Sequence, residues 1–141
     1  MIRSYQESDT EDILEAWYQA SLVAHSFLSE DFLVEERQAI RDVYLPSSQT
    51  WVYEEAGRPV GFISLAGSEV GGLFVHPSMQ RRGIGRALMD KARSLHETLE
   101  LEVFAANSSG RAFYANYGFV PICQIIDDAT GFPAIRLRYG R

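Results

Sequence analysis

Two periods of apolar and polar residues alternate along this chain, and the switches between them set the element order. Ile2 to Tyr5 is a short extended stretch. From Ser8 onward Ile13, Leu14, Trp17, Ala20 and Ser21 recur at helical spacing, which predicts a helix with one buried face. Ser8, with Glu11 three residues later, has the form of a capping box. His25-Ser26-Phe27-Leu28 interrupts the pattern. A second helix is expected from a Ser29 cap through Phe32, Leu33, Ile40 and Val43 to Leu45, ended by Pro46 and the polar Ser47-Ser48-Gln49.

The period then shortens to two. Thr50 to Glu54 and Val60 to Leu65 read as strands around the turn Ala56-Gly57-Arg58-Pro59, and Gly67-Ser68 closes a hairpin into Glu69 to Val75. Ile84, Leu88, Ala92 and Leu95 form another helical stripe, and Glu100 to Ala105 alternates as a strand with one buried face. Ser108 or Ser109 is the expected cap of a short helix, Arg111 to Tyr117, which Gly118 ends. Two strands, Phe119 to Ile126 and Ala134 to Tyr139, complete the order βααβββαβαββ.

Length and composition narrow the class. The 141 residues carry no repeat or linker and are read as one domain, 1–141, large enough to bury a core. The apolar runs are too short to span a bilayer, and Met1 to Tyr5 leads straight into acidic residues without a signal-peptide core. The single Cys123 excludes an internal disulfide, and within its strand it is expected to be a small buried apolar residue. A cytoplasmic protein without a membrane partner is therefore expected. His25, His76 and His96 are scattered, so no metal site is expected.

A net charge of −6 argues against a protein that coats nucleic acid. Against that acidic background, Arg81, Arg82 and Arg86 crowd into one short loop. They lie in the stretch Leu73 to Leu88, where an apolar run ends at His76-Pro77, a loop with Gly83 and Gly85 follows, and a helical pattern begins. Strand, loop and helix N-terminus in that order form an anion site, because the first N–H groups of the helix lack carbonyl partners. The glycines admit a ligand close to the backbone and the arginines suit phosphate. A P-loop would need Gly-Lys-Ser/Thr, which is absent, and a dinucleotide fingerprint would need a third Gly or Ala where Leu88 stands.

The neighbours of this loop are more specific. Val75-His76-Pro77 followed by Gln80-x-x-Gly83-x-Gly85 resembles the acyl-CoA-binding motif of the GNAT superfamily of N-acyltransferases. Asn107, then Ala112-Phe113-Tyr114-x-x-x-Gly118-Phe119, is similar to the second signature of the same family. The resemblance implies an α/β fold with a mixed, mostly antiparallel sheet of about seven strands flanked by four helices. It also implies acetyl-CoA as co-substrate, no metal, and a small-molecule or peptide amine as acceptor. Either a monomer or a homodimer is compatible with it.

Placed residue by residue, the resemblance assigns the CoA pyrophosphate to the backbone of Gln80, Arg81, Arg82, Gly83, Ile84, Gly85 and Arg86, with arginine side chains nearby. It assigns the pantetheine arm to the backbone of Leu73, Phe74 and Val75, across a gap opened between two parallel strands. Asn107 would contact the pantetheine or the acceptor. Tyr114 would protonate, or hydrogen-bond, the departing thiolate.

Glu69 stands where some members carry a general base; plain strand spacing puts it on the face of Val75, and a bulge would alter that parity. His76 is a second candidate base. Trp17, His25 and Phe27 are candidate lining of the acceptor pocket, with Asp127 and Asp128 able to attract a cationic amine, although each is also explained by packing or turn formation. The competing reading is a CoA-binding module that has lost catalysis and serves as a sensor.

Overall fold

The computed structural model describes residues 1–140. Its strands are β1 (Ile2–Ser4), β2 (Gln49–Glu55), β3 (Arg58–Ala66), β4 (Glu69–Val75), β5 (Leu99–Phe104), β6 (Val120–Ile126) and β7 (Pro133–Tyr139). They form one sheet in the order β1-β2-β3-β4-β5-β7-β6. Every neighbouring pair is antiparallel except β4 and β5. The helices are α1 (Thr10–Ala24), α2 (Glu30–Ala39), α4 (Ile84–Leu95) and α5 (Ser108–Tyr117), with a π-helical turn (Ile40–Tyr44) and a last turn α3 (Leu45–Ser47) prolonging α2.

Alternation along the strands divides the core in two. Ile63, Leu65, Leu99, Leu101 and Val103 face α4, packing on Leu88, Met89 and Ala92. Val52 and Phe62 face the other way, toward Ile13, Leu14 and Trp17 of α1 and Leu33 of α2. Leu88 and Met89 are fully buried. Side chains of that size contribute about 1.5–3 kcal/mol each by leaving water.

Four local expectations change. The first concerns the N-terminus of α1, where Asp9 replaces the Ser8–Glu11 box. Asp9 Oδ2 accepts the Gln6 N–H at 2.8 Å, and both its oxygens take the Arg3 guanidinium at 2.8 and 2.9 Å. This ties β1 to the start of α1, and the Arg3 guanidinium holds the Asp9 carboxyl below its ordinary range. The second is Pro46, which does not stop the second helix but lies within α3. Proline lacks an N–H and crowds the carbonyl four residues back, and the π-register turn preceding it relaxes that geometry.

The third is the cap of α5. It is Asn107 rather than Ser108 or Ser109, so the helix begins earlier than the apolar pattern indicated. The fourth is Cys123, which is exposed. β7 inserts between β5 and β6, leaving β6 as the sheet edge, with Val120, Ile122 and Ile126 exposed as well.

Candidate active site

The parallel pair β4 and β5 meets at a single register position, Glu69↔Glu100. Beyond it the strands part. On its other side β4 continues to pair with β3 as far as Gly61↔Val75. His76 N–H donates to Val60 C=O at 2.8 Å, which fixes which backbone groups face β3. Because alternate residues of a strand bond to opposite edges, the N–H and C=O groups of Leu73 and Val75 turn into the gap. Gln80 Nε2 donates to the Val75 carbonyl at 3.1 Å, fastening the following loop to the strand.

That loop ends in the N-terminus of α4. Ala87 N–H is bonded to Gly83 C=O at 3.0 Å, so the N–H groups of Ile84, Gly85 and Arg86 precede the helical ladder and have no partner within it, the arrangement that suits an anion. Arg81 and the cap residue Gly83 both have left-handed backbone, at φ 65 and φ 80. An arginine in that region is uncommon and strained, a cost found where a loop is shaped for binding. A Cβ on Gly85 would lie 3.5 Å from the Phe113 ring and 3.9 Å from Val75. The glycine thus keeps the floor between those side chains open.

Gap and loop belong to one cleft of about 550 Å³. Leu73, Phe74, Val75, Gln80, Arg81, Gly83, Ile84, Gly85, Arg86, Asn107 and Tyr114, residues that the resemblance assigns to the cofactor, all line it. Arg82 is exposed at the loop and does not line the cleft. Met79, Ala20, Ala24, Ser109, Gly110 and Phe113 join the lining, none of them a candidate site residue from the sequence. Ala20 and Ala24 carried a usable signal: small residues one helical turn apart leave room beside a sheet.

Tyr114 is half-buried on α5, edge-on to Phe113 and Phe119. Among the described residues none bonds its hydroxyl. Burial pushes its pKa up to about 12, so the phenol stays protonated at neutral pH and remains a donor. Tyr117, one helical turn on, has a different task. Its hydroxyl donates to Asp90 Oδ1 at 2.6 Å, and Arg86 lies over its ring, tying α5 to α4.

Asn107 stands where β5 passes into α5. Its Oδ1 accepts from Gly110 N–H at 3.0 Å and from Ser109 Oγ at 3.3 Å, while Nδ2 lies 3.3 Å from His25 Nε2. His25 follows α1 and reaches across the mouth of the gap. Its ring is edge-on to Phe74 of β4, Phe104 of β5 and Phe27. Burial among these rings lowers its pKa and keeps the imidazole neutral.

The other candidates fall elsewhere. The bulge at Gly71, where Ser64↔Gly72 is followed by Leu65↔Val70, puts Val70 on the face of Leu73 and Val75 and turns Glu69 to the opposite face. There the two Glu69 oxygens are held by Arg136, which also pairs with Glu100 and Glu102. Glu69 does not line the cleft. Trp17 is a core residue, because it shares the buried face of α1 with Ile13 and Leu14. Phe27 lies outside the cleft, stacked edge-on with Phe104 and Phe132. His76 caps the turn Pro77–Met79, its Nδ1 accepting from Ser78 N–H at 3.2 Å.

Comparison with known proteins agrees with this geometry. The family model of the acetyltransferase (GNAT) domain matches residues 46–121. The peptidyl-lysine N-acetyltransferase YiaC of Escherichia coli is 37% identical over 134 residues, covering 94% of this chain and 92% of that protein. The solution structure of the apo form of YjaB from Escherichia coli superposes with a TM-score of 0.89 at 30% identity, covering 100% of this chain and 98% of that one. The PaiA N-acetyltransferase of Thermoplasma acidophilum, solved in complex with coenzyme A, shares the fold with a TM-score of 0.81 at 17% identity over 100% of this chain and 98% of that one. With a seven-stranded sheet splayed between β4 and β5 and a glycine loop leading into α4 beside the gap, this chain belongs to the GNAT family of acetyltransferases.

Proposed function

We propose that this protein transfers the acetyl group of acetyl-CoA to the side-chain amine of a lysine in a peptide or protein, by direct attack within a ternary complex. The observation that carries the reading is the gap beside Leu73 and Val75, which opens into the N-terminal cradle of α4. One end of the cleft suits a pyrophosphate and the other presents backbone donors to a thioester. YiaC and YjaB, the relatives matched over nearly the whole chain, are peptidyl-lysine N-acetyltransferases. Their acceptor is the one proposed here.

Each residue has a place in that reaction. The N–H groups of Ile84, Gly85 and Arg86 receive the pyrophosphate, with Arg81 and Arg86 beside it and Arg82 adding charge from the loop's outer side. The backbone of Leu73, Phe74 and Val75, together with Gln80 and Gly83, forms the wall along which the pantetheine lies. Asn107 closes the far end.

The amine nitrogen attacks the thioester carbonyl and forms a tetrahedral adduct whose oxyanion needs N–H donors from the gap. The C–S bond then breaks, and Tyr114 gives its hydroxyl proton to the thiolate. The proton lost by nitrogen goes to a base on the acceptor side, where Glu69 and His25 are the candidates. The acceptor enters past Phe27, with Trp17 supporting the wall from the core.

A panel of lysine-containing and α-amine peptides, incubated with acetyl-CoA, tests the reading. Thiol release matched by mass spectrometry should show acetyl-lysine. Tight acetyl-CoA binding without turnover of any peptide amine would overturn it in favour of a sensor.

A further inference from the structure

We infer that His25 is the general base of the transfer reaction, its Nε2 taking the proton from the nitrogen of the tetrahedral adduct. The inference rests on the acetyltransferase reading above and adds a catalytic residue to it. Three observations carry it: where the ring sits, which nitrogen is unprotonated, and what occupies the alternative base.

The ring sits at the mouth of the gap. Its centroid is 6.3 Å from Phe74 on β4 and 5.1 Å from Phe104 on β5, so it spans the two strands whose separation opens the site. His25 lines the same cleft as Leu73, Val75 and Tyr114. The thioester, between the Leu73 and Val75 donors and the Tyr114 hydroxyl, would lie within that shared space.

The neighbours of the ring set its tautomer. Asn107 Oδ1 is already committed to Gly110 N–H and Ser109 Oγ, which leaves Nδ2 as the atom facing His25 Nε2 at 3.3 Å. An amide nitrogen only donates, so Nε2 must be the unprotonated acceptor. At 3.3 Å this bond is long for a hydrogen bond, and an incoming N–H replaces it at little cost. Three phenylalanine rings surround the imidazole and no carboxylate is paired with it, so it is neutral at physiological pH. The charged or titratable groups lining its cleft are Arg81, Arg86 and Tyr114, none of which supplies a negative charge at neutral pH.

Such an imidazole is a weak base toward a free lysine ammonium, whose ordinary pKa is about 10.4. It is well matched to the adduct, where nitrogen bonded to the acyl carbon is far more acidic. The balance closes for the neutral amine: the lysine sheds its ammonium proton to solvent before it attacks. In the adduct nitrogen then loses one proton to Nε2, Tyr114 gives one to sulfur, and the imidazolium returns its proton to the Tyr114 phenolate through water. Glu69 is poorly placed to compete, since both its oxygens are held by Arg136 and it lies outside the cleft.

The test uses His25→Gln, whose amide oxygen still accepts from Asn107 but cannot titrate. Measured as kcat at saturating acetyl-CoA and lysine peptide, the wild-type rate should fall as pH drops, with the limb below the ordinary histidine value of about 6.5. His25→Gln should lose about 10²-fold or more in kcat and lose that limb, while acetyl-CoA affinity by calorimetry and thermal stability stay near wild type. His25→Ala should be partly rescued by added imidazole.

Retention of wild-type kcat and the same acid limb in His25→Gln would overturn the assignment, as would transfer of the whole effect to Glu69→Gln. An equal loss of acetyl-CoA affinity and rate would also overturn it, by making His25 a positioning residue. If the wild-type protein acetylates no amine at all, it is the transferase reading that fails. If the wild type turns over and His25→Gln does so equally well, only the base assignment fails.

Discussion

A phenol with its pKa pushed up to about 12 by burial stays protonated at neutral pH, which is what the proposed acid role asks of Tyr114. Replacing it with phenylalanine keeps the ring packed against Phe113 and Phe119 and removes only the hydroxyl. We expect Tyr114→Phe to lower kcat by about 10²- to 10⁴-fold with little change in acetyl-CoA affinity, read by thiol release and calorimetry. The raised pKa also has a stability consequence. The unfolded phenol ionises near 10 and the folded one near 12, so this contribution is intact below pH 10 and is lost as pH rises toward 12. Alkaline unfolding of Tyr114→Phe, followed by circular dichroism, should therefore be less steep between those values. The motif around Tyr114 singled it out as a candidate, and the fold puts it in the cleft. It could not show the pairing of Glu69 with Arg136, because the two lie far apart in the chain and meet only through β4, β5 and β7.

Elements were legible where the pattern is local. All seven strands and the four main helices follow from periodicity, with Gly118 ending α5 as expected. What was lost at this scale was a choice among neighbouring polar residues. Asn107, Ser108 and Ser109 can all cap a helix, and Gly110 decides between them. A Cβ there would lie 2.4 Å from Asn107 Nδ2, so glycine is what lets the asparagine fold back over the helix N-terminus. Gly110→Ala should displace Asn107, costing about 1–2 kcal/mol in urea denaturation through the lost cap. The same change should raise KM for acetyl-CoA, because Asn107 and Gly110 both line the cleft. A stability loss with unchanged KM would separate the cap from the site.

At the scale of the molecule, the decisive feature is one that no periodicity encodes: two parallel strands that meet at one position and then part. Periodicity predicts β4 and β5 but not their divergence, which only the family resemblance implied, and neither foretold the insertion of β7 that leaves β6 as an edge. The gap leaves Leu73 and Val75 with backbone donors that β3 does not use, so acetyl-CoA can bind as an added strand. A proline at position 73 deletes one of those donors without touching the β3–β4 ladder, which makes it tolerable in a strand. It also removes the leucine side chain from the core beside α4, so Leu73→Ala is the control that loses the side chain alone. Both variants should lose similar thermal stability. Leu73→Pro alone should then bind acetyl-CoA about ten- to a hundredfold more weakly by calorimetry, the loss of about 1–3 kcal/mol that follows when a ligand carbonyl is left without its donor. Equal affinities in the two variants would mean that the gap holds the cofactor by shape and not by its backbone. The oxyanion would then have to draw its stabilisation from elsewhere in the cleft.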